Sequence, residues 1–295
     1  MDILSIDSLS DAEIGAILNR AELYFSGNRG RRSNERLHGR VIFNLFYENS
    51  TRTAMSFATA AHRLGASAIA LSVEHSSVKK GETLEDTART LNAMRPDALV
   101  IRHRDNGAPA LVADIMEAPV LNAGDGTNEH PTQALLDAAT IRQRLGRIEG
   151  LKIAICGDIR HSRVARSNAK LLPRLGAEVR LAGPPELMPG DGPMLSVDEA
   201  IAGADVVMML RVQRERLEAE LGDAPGEYLK RYGLTAGRLA TASPDAVVMH
   251  PGPMNRGVEI ESDIADDPER SLITLQVEMG VATRMACLEL VVGGA

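Results

Sequence analysis

Tryptophan is absent from this sequence, and aromatic residues make up only 3% of its 295 positions. No apolar run approaches the roughly 18 residues that a membrane span requires, so we expect no membrane partner. The formal net charge is −7, which argues against a nucleic-acid-binding protein because such proteins carry a basic surface. The two cysteines, Cys156 and Cys287, lie far apart in apolar runs, as is typical of buried thiols in a reducing compartment.

The first residues, MDILSIDSLSDAEI, carry acidic side chains where a signal peptide has basic residues and an apolar core. We therefore predict a cytoplasmic protein. The same segment contains Ser10 and Glu13 at the spacing of a helix capping box. Apolar residues follow at helical spacing, so the chain should open with an amphipathic helix.

Short apolar runs alternate with helical patterns along most of the chain, which is typical of parallel sheets flanked by helices. The predicted strands are Val41–Tyr47, Ser67–Val73, Ala98–Ile101, Val120–Asn122, Leu151–Cys156, Glu178–Leu181, Val206–Leu210 and Val247–Met249. The predicted helices begin near Ser10, Thr53, Leu84, Ala108, Pro131 and Val164. A single core stops growing at about 250–300 residues, so the length favours an α/β protein of two domains.

We predict that residues 1–145 together with 272–295 form the first domain, and that residues 146–271 form the second. The discontinuity follows from a long, largely apolar helical pattern between Leu272 and about Val292. We expect this C-terminal helix to pack back on the first domain.

Polar clusters follow several of the predicted strands. They are Ser50–Thr53, Arg102–His103, Gly124–Gln133, Asp158–Arg163, Arg211–Gln213 and His250–Arg256. Ligands of open parallel sheets bind outside the carboxyl ends of the strands, which is where these clusters fall. One polar cluster alone is no more than a solvated loop. Six of them, rich in Arg, His and Gln, indicate sites for polar ligands.

The cluster Ser50-Thr51-Arg52-Thr53 places three hydroxyls and a guanidinium where a strand gives way to a helix. Free backbone N–H groups and the helix dipole make that position favourable for an anion, and the side chains add donors for phosphate oxygens. Taken alone, such a cluster is more often an ordinary N-cap beside a surface arginine. Neither a Walker A nor a GxGxxG motif occurs, so those nucleotide-binding loops are excluded.

Six segments resemble motifs of the aspartate/ornithine carbamoyltransferase family, and they occur in the family's order over almost the whole chain. They are FYENSTRT (46–53), SSVKKGETLEDT (76–87), HPTQALLD (130–137), GDIRHSRVARSN (157–168), LRVQRER (210–216) and HPGPMNRG (250–257). The match is to the aspartate branch. It implies transfer of the carbamoyl group of carbamoyl phosphate to the amine of L-aspartate, which gives N-carbamoyl-L-aspartate and phosphate in pyrimidine (UMP) biosynthesis. The resemblance implies no cofactor and no metal.

The resemblance also implies roles for individual residues, and assigns carbamoyl phosphate to the first domain. The residues implied to bind carbamoyl phosphate are Ser50, Thr51, Arg52, Thr53, Ser76, Arg102, His130, Gln133, Pro251, Gly252 and Pro253. Those implied in catalysis are Arg52, Thr53, Lys80, Arg102, His130 and Gln133. His130 would donate to the carbamoyl carbonyl and Gln133 would contact the carbamoyl amide. A cis peptide is implied at Gly252–Pro253.

Aspartate is assigned to the second domain in the same way. The residues implied to bind it are Lys80, Arg163, Arg211 and Gln213. Each of its two carboxylates suits a guanidinium, whereas ornithine would need an acid for its side-chain ammonium. The ornithine branch carries His-Cys-Leu-Pro where this chain has His-Pro-Gly-Pro. Singly, either arginine is more often a surface charge.

The expected assembly is a homotrimer in which Ser76 and Lys80 reach into the active site of a neighbouring subunit. Composition alone would favour an exposed, flexible loop for that segment. A higher assembly with regulatory chains or with another pyrimidine enzyme is left open. Two alternatives to the aspartate reaction remain: a transcarbamoylase with another amine acceptor, and a catalytically silent homologue with a structural or regulatory role. The arginines disfavour the first, and the presence of every matched site residue disfavours the second.

Overall fold

The computed structural model describes residues 1–29, 34–72, 81–190, 195–212 and 225–293. The chain divides into two compact units: unit 1 consists of Met1–Ala139 and Val277–Ala295, and unit 2 of Thr140–Gln276. Among the described residues, no helix combines the length and the apolar character needed to cross a membrane.

Unit 1 is built on a four-stranded parallel sheet. Its strands are β1 (Val41–Phe46), β2 (Ser67–Ser72), β3 (Ala98–His103) and β4 (Val120–Asp125), in the order β2-β1-β3-β4. Its helices are α1 (Asp11–Arg29), α2 (Thr51–Arg63), α3 (Leu84–Ala93), α4 (Ala108–Ala113), the first part of α5 (Pro131–Leu145) and most of α11 (Ile273–Val292). Strand β3 is central and apolar, and Leu99, Val100 and Ile101 are fully buried.

The C-terminal helix α11 packs on α1 within unit 1, as predicted. The Tyr24 hydroxyl donates to Glu289 Oε2 at 2.6 Å, and Arg29 donates to both carboxylate oxygens of Glu278 at 2.7 and 2.8 Å. The predicted capping box also forms at the start of α1, because Glu13 N–H donates to Ser10 Oγ at 3.2 Å and Ser10 N–H donates to Glu13 Oε2 at 2.7 Å.

Unit 2 repeats the parallel sheet. Its strands are β5 (Lys152–Cys156), β6 (Glu178–Ala182), β7 (Val206–Met209) and β8 (Val247–Met249), in the order β6-β5-β7-β8. Its helices after α5 are α6 (Arg163–Arg174), α7 (Val197–Ile201), α8 (Pro225–Tyr232), α9 (Ala236–Leu239) and α10 (Ser262–Ala265). Cys156 lies in the core of this sheet, and burial raises the pKa of its thiol to about 12.

The predicted fold class is confirmed, and all eight predicted strands are present. Two of them run at least two residues further than predicted: β3 ends at His103 rather than Ile101, and β4 ends at Asp125 rather than Asn122. The reason is that inter-strand pairing continues past the apolar residues, with His103 opposite Asp125. The short helices α7, α8, α9 and α10 were not predicted from the sequence pattern.

Candidate active site

The Ser50–Thr53 cluster lies at the N-terminus of α2, immediately beyond β1. Ser50 is the N-cap residue, but its side chain makes no capping hydrogen bond, and the first turn contains no acidic residue. Thr53 is buried, whereas Thr51 and Arg52 are exposed. The positive end of the helix dipole is therefore not offset locally by a carboxylate in that turn, which makes this turn suitable for an anion.

Arg102 is held beside this turn by two neighbouring elements. It lies in β3 opposite Phe46, the last residue of β1. Its Nε lies 3.2 Å from Glu48 Oε2, and its guanidinium donates to the Ala123 carbonyl at 3.3 Å. Only 14% of the side chain is exposed. The guanidinium is thus fixed at the carboxyl edge of the sheet, one strand away from the α2 N-terminus.

His130 and Gln133 lie at the start of α5, after β4. Both are buried, with 3% and 8% exposure. Gln133 Nε2 donates to Asp137 Oδ1 at 3.0 Å, one helical turn further along α5. An imidazole and an amide are therefore presented together in a nearly dry setting, where a hydrogen bond to a ligand is stronger than in water.

The loop that leads into His130 is braced by the carboxylate of Asp125. Both carboxylate oxygens are used, because Oδ1 accepts from the Asn122 amide at 2.8 Å and from Glu129 N–H at 3.1 Å, and Oδ2 accepts from Gly107 N–H at 2.8 Å and from the Asn128 amide at 3.0 Å. Such a fully satisfied buried carboxylate fixes the backbone around it. The sequence pattern placed Asp125 in the polar cluster but gave it no role.

His103, which follows Arg102, makes no comparable contribution to anion binding. Burial lowers the pKa of its imidazole, and Asp105 N–H donates to its Nδ1 at 3.0 Å. The ring packs edge-on against Tyr47, with 4.6 Å between the ring centroids. A neutral, packed ring of this kind supports the end of β3.

In unit 2, Arg163 occupies the first residue of α6. The preceding Ser162 is the N-cap, and its Oγ accepts from Ala165 N–H at 3.1 Å. The loop before it is fixed by the buried Asp158, whose Oδ1 accepts from His161 N–H at 3.1 Å and lies 3.0 Å from the His161 ring nitrogen. The guanidinium of Arg163 is therefore carried on an ordered turn beyond β5.

Arg211 follows β7 and is exposed, whereas the next residue, Val212, is buried. The Val212 carbonyl accepts from the Asn255 side-chain amide at 2.9 Å. This bond joins the end of the β7 segment to the loop after β8, so two of the polar clusters predicted from the sequence are brought together within unit 2.

The His250–Pro253 turn after β8 is organised by a buried histidine. Gly252 N–H donates to His250 Nδ1 at 2.8 Å, so the opposite ring nitrogen carries the proton and donates to Glu259 Oε1 at 3.2 Å. Glu259 Oε1 also accepts from Asn255 N–H. Gly252 has a φ of 63°, which favours glycine, and the Gly252–Pro253 peptide is cis as the resemblance implied.

The structure thus gathers Ser50–Thr53, Arg102, His130 and Gln133 at the carboxyl edge of the first sheet, and Arg163, Arg211 and Pro251–Pro253 at that of the second. The predicted site residues Ser76, Lys80 and Gln213 lie outside the described residues. Within the described part of the chain, no three His, Cys, Asp or Glu side chains are grouped in a way that could hold a metal ion.

Comparison with known proteins identifies relatives of the whole chain. Residues 1–143 match the family model of the aspartate/ornithine carbamoyltransferase carbamoyl-P binding domain, and residues 149–291 match that of the Asp/Orn binding domain. The aspartate carbamoyltransferase catalytic subunit of Granulibacter bethesdensis is 58% identical over 294 residues, covering 97% of this chain and 93% of the relative. That of Rhodospirillum rubrum is 55% identical over 298 residues, covering 99% and 93%.

Solved structures agree with this assignment. Aspartate transcarbamoylase from Trypanosoma cruzi, in complex with N-(phosphonacetyl)-L-aspartic acid, has a TM-score of 0.87 and 34% identity, covering 97% of this chain and 94% of that one. Ornithine carbamoyltransferase from Pyrococcus furiosus has a TM-score of 0.89 and 30% identity, covering 100% and 97%. The two scores are nearly equal, so the backbone does not distinguish the two branches.

Proposed function

The chain belongs to the aspartate/ornithine carbamoyltransferase family, and we propose that it transfers the carbamoyl group of carbamoyl phosphate to the amine of L-aspartate. The observation that carries the proposal is the pairing of an anion-binding helix N-terminus with buried His130 and Gln133 at one sheet edge. Relatives that are 55–58% identical over nearly the whole chain are aspartate carbamoyltransferase catalytic subunits. The analogue bound to the Trypanosoma cruzi enzyme combines a phosphonate with an aspartate, as the two substrates of this reaction would.

Carbamoyl phosphate is assigned to unit 1. The α2 N-terminus, with Ser50, Thr51, Arg52 and Thr53, receives the phosphate. Arg102 bridges the phosphate and the carbonyl oxygen. These preorganised donors stabilise the phosphate as negative charge develops on it in the transition state.

His130 and Gln133 act on the carbamoyl group itself. A protonated ring nitrogen of His130 donates to the carbonyl oxygen, which makes the carbon more electrophilic, and Gln133 binds the amide nitrogen. The family resemblance adds the carbonyls of Pro251, Gly252 and Pro253 as further partners of that nitrogen. His130 and Gln133 are at most 8% exposed, and their burial excludes the water that would compete with their hydrogen bonds to the carbamoyl group.

The chemical step needs only these contacts and correct placement of the amine. The unprotonated aspartate nitrogen forms a bond to the carbamoyl carbon, and the carbonyl oxygen takes up negative charge. The bond between that carbon and the phosphate oxygen then breaks, phosphate leaves with the electron pair, and the departing phosphate accepts the proton that the amine loses. Proximity and charge stabilisation are therefore the principal sources of rate enhancement.

Aspartate is assigned to unit 2, where Arg163 and Arg211 each bind one carboxylate with help from Gln213 and Lys80. The substrate choice depends on these side chains because the fold is shared with an ornithine enzyme. Arg211 is joined to the turn after β8 through the Val212–Asn255 hydrogen bond. Two guanidiniums suit a dicarboxylate and repel the side-chain ammonium of ornithine.

Supplying carbamoyl phosphate with aspartate or with ornithine, separately, tests the proposal. We expect phosphate release and carbamoyl-aspartate only with aspartate, and Arg52→Ala should form this product about 10²–10³-fold more slowly. Product from ornithine alone would overturn the acceptor assignment. No product from either amine would favour a catalytically silent homologue.

We further propose that residues 1–145 with 272–295 and residues 146–271 are the two functional domains, and that the chain works as a cytoplasmic homotrimer in pyrimidine biosynthesis. Apolar side chains exposed near the edge strand β2 support a subunit interface there: Ile69 is 52% exposed and Met55 61%. The segment with Ser76 and Lys80 follows this edge strand. Lys80 then completes the site of a neighbouring subunit.

Subunit mixing tests this sharing of residues. We expect Arg52→Ala and Lys80→Ala chains to be almost inactive separately and to regain activity when they are dissociated, mixed and reassembled, because mixed trimers contain sites built from two wild-type halves. Reassembly of each variant with itself is the control. Mixed trimers that stay inactive would show that Arg52 and Lys80 serve the same subunit's site.

A further inference from the structure

Behind Gln133, two buried charged side chains continue inward from the proposed carbamoyl site of unit 1. Gln133 Nε2 donates to Asp137 Oδ1 at 3.0 Å, and Asp137 is fully buried. Arg284 of α11 lies close enough to Asp137 that the two charges attract each other. Neither Asp137 nor Arg284 belongs to the set of residues to which the sequence motifs gave a role.

Arg284 is held in place by two contacts. Its side chain is buried, and its NH1 donates to the Gly280 carbonyl at 3.3 Å. Its guanidinium carbon lies 5.1 Å from the centroid of the Phe57 ring on α2. A Cβ at position 280 would lie 2.8 Å from the same NH1, so glycine at this position leaves room for the guanidinium.

The charge of Arg284 is costly to bury, and the charge of Asp137 offsets part of that cost. Burial lowers the pKa of the guanidinium to about 10, and a negative charge on Cys287 or on Asp137 acts in the opposite direction. Cys287 is itself buried, and burial raises the pKa of its thiol to about 12, so at neutral pH the carboxylate of Asp137 is the relevant anion.

An ionised carboxylate fixes the orientation of an amide beside it. Asp137 can only accept hydrogen bonds in that state, so the NH₂ group of Gln133 must face it. The carbonyl oxygen on the same carbon, Gln133 Oε1, is then directed away from Asp137 and can accept a hydrogen bond from a ligand. An asparagine at position 137 could donate as well as accept, and would allow either orientation of the Gln133 amide.

We propose that Asp137, backed by Arg284, is a positioning residue that fixes Gln133 with Oε1 towards the transferred group and so selects the NH₂ of a carbamoyl donor over the methyl of an acetyl donor. The inference rests on the proposed function and deepens it, because it concerns the same site. An acetyl group has the same shape as a carbamoyl group but cannot donate to Oε1, so the buried oxygen loses its partner.

The test compares carbamoyl phosphate with acetyl phosphate as the donor to aspartate. With acetyl phosphate the amine forms a bond to the acetyl carbon and phosphate is released, so phosphate release measures both reactions. We expect the wild-type chain to prefer carbamoyl phosphate in kcat/KM. In Asp137→Asn, the ratio of the two kcat/KM values should fall about tenfold, mainly through loss of activity with carbamoyl phosphate.

Thr283→Val is the matched control. Thr283 neighbours Arg284 on α11, is fully buried, and its hydroxyl has no hydrogen-bond partner among the described residues. The replacement keeps the shape of the side chain and leaves Asp137 and Gln133 unchanged. We expect the same donor ratio as in the wild-type chain, which separates donor selection from a general disturbance of the helix.

A donor ratio in Asp137→Asn equal to that of the wild-type chain would overturn the inference, as would a wild-type chain that uses both donors equally well. If Asp137→Asn does not fold, the double variant Asp137→Asn/Arg284→Met removes the guanidinium that the single change leaves uncompensated, and the same fall in the ratio is expected. Failure of the wild-type chain to form carbamoyl-aspartate would instead overturn the proposed function.

Discussion

The two sheets have the same strand order, but the residues beyond their strands differ in burial and in the contacts that hold them. In each unit the second strand lies at one edge, followed by the first, third and fourth strands. The direction of winding reverses between the first and third strands, and ligands of open α/β sheets bind beyond that point. Candidate residues occupy equivalent places: Arg52 and Arg163 follow the first strand, Arg102 and Arg211 mark the third, and His130 and His250 follow the fourth.

Burial and bracing distinguish these equivalent positions. Arg102 has 14% of its side chain exposed, whereas Arg211 is exposed. His130 immediately precedes α5, which carries the buried Gln133, whereas His250 bonds Glu259 and supports a turn. The difference teaches that strand order determines where polar residues gather, while the packing behind each loop determines whether they form an enclosed site or an open one.

Arg52→Ala should have the largest effect, because it removes the guanidinium of the α2 N-terminus. Losing a charged contact to a bound phosphate should lower kcat/KM for carbamoyl phosphate about 10²–10³-fold, which corresponds to about 3–4 kcal/mol. Arg104→Ala is the control, since Arg104 is an exposed residue that lies 3.8 Å from Asp105. A loss of less than about tenfold in steady-state kinetics would remove Arg52 from the phosphate site.

Asp125→Asn and Glu259→Gln compare the two carboxylates that brace the loops after the fourth strands. Both oxygens of Asp125 accept two donors each, so an asparagine turns its NH₂ group towards donors and should cost about 2–4 kcal/mol. Glu259 uses Oε1 for His250 and Asn255, and a glutamine keeps that acceptor, so the cost should be about 1 kcal/mol. Urea unfolding of the two variants measures the difference. Equal losses would contradict the view that unit 1 is more firmly braced.

Arg211→Ala should have a smaller effect, confined to the amine acceptor. Water competes with the aspartate carboxylate for an exposed guanidinium, so this contact is weaker than a buried one. We expect the KM for aspartate to rise about 10–50-fold, with a much smaller change in the KM for carbamoyl phosphate. Measuring both constants at saturating co-substrate checks this. Equal increases in the two constants would mean that Arg211 does not belong to an aspartate site. Arg238→Ala is unsuitable as a control because Arg238 bonds four backbone carbonyls.

Ser10→Ala and Ser196→Ala should have the smallest effects and should match each other. Each serine forms a capping box, with Glu13 in unit 1 and Glu199 in unit 2, and a lost N-cap costs about 1 kcal/mol. Neither change should alter a KM. The serine bonds lower the pKa of Glu13 and of Glu199, so each contribution is present above the pKa of an unfolded glutamate and is lost as the pH falls through the lowered value. Unfolding curves at neutral and acidic pH measure this.

Apolar runs and turn residues were sufficient to predict the eight strands, because buried parallel strands are nearly continuous apolar segments. The ends of β3 and β4 were placed too early, since Arg102, His103 and Asp125 are polar yet remain paired within the sheet. Helix α7 shows a different limit. The capping box of Ser196 and Glu199 can be recognised in the sequence, but a helix of five residues is too short to show a helical periodicity.

The candidate site divides in the same way. Residues such as Arg52 and His130 stand in segments whose pattern is itself distinctive, so the sequence was sufficient to select them. Asp137 and Arg284 stand on helices where a charged residue is ordinarily taken to face solvent, and only the folded chain brings both of them into the core. Their roles depend on contacts between helices that are distant in sequence, which a linear pattern does not encode.

The pairing of α1 with α11 has a consequence for biosynthesis of the chain. Unit 2 is one continuous stretch, whereas unit 1 takes its last segment from beyond residue 276. During translation, Tyr24 can therefore form its hydrogen bond to Glu289 only after the whole of unit 2 has been synthesised. The unit that begins first is completed last, contrary to the usual N-terminal-first order of domain folding. Ribosome-bound chains that have emerged only as far as Gln276 should contain a folded unit 2 and an unfinished, protease-sensitive unit 1.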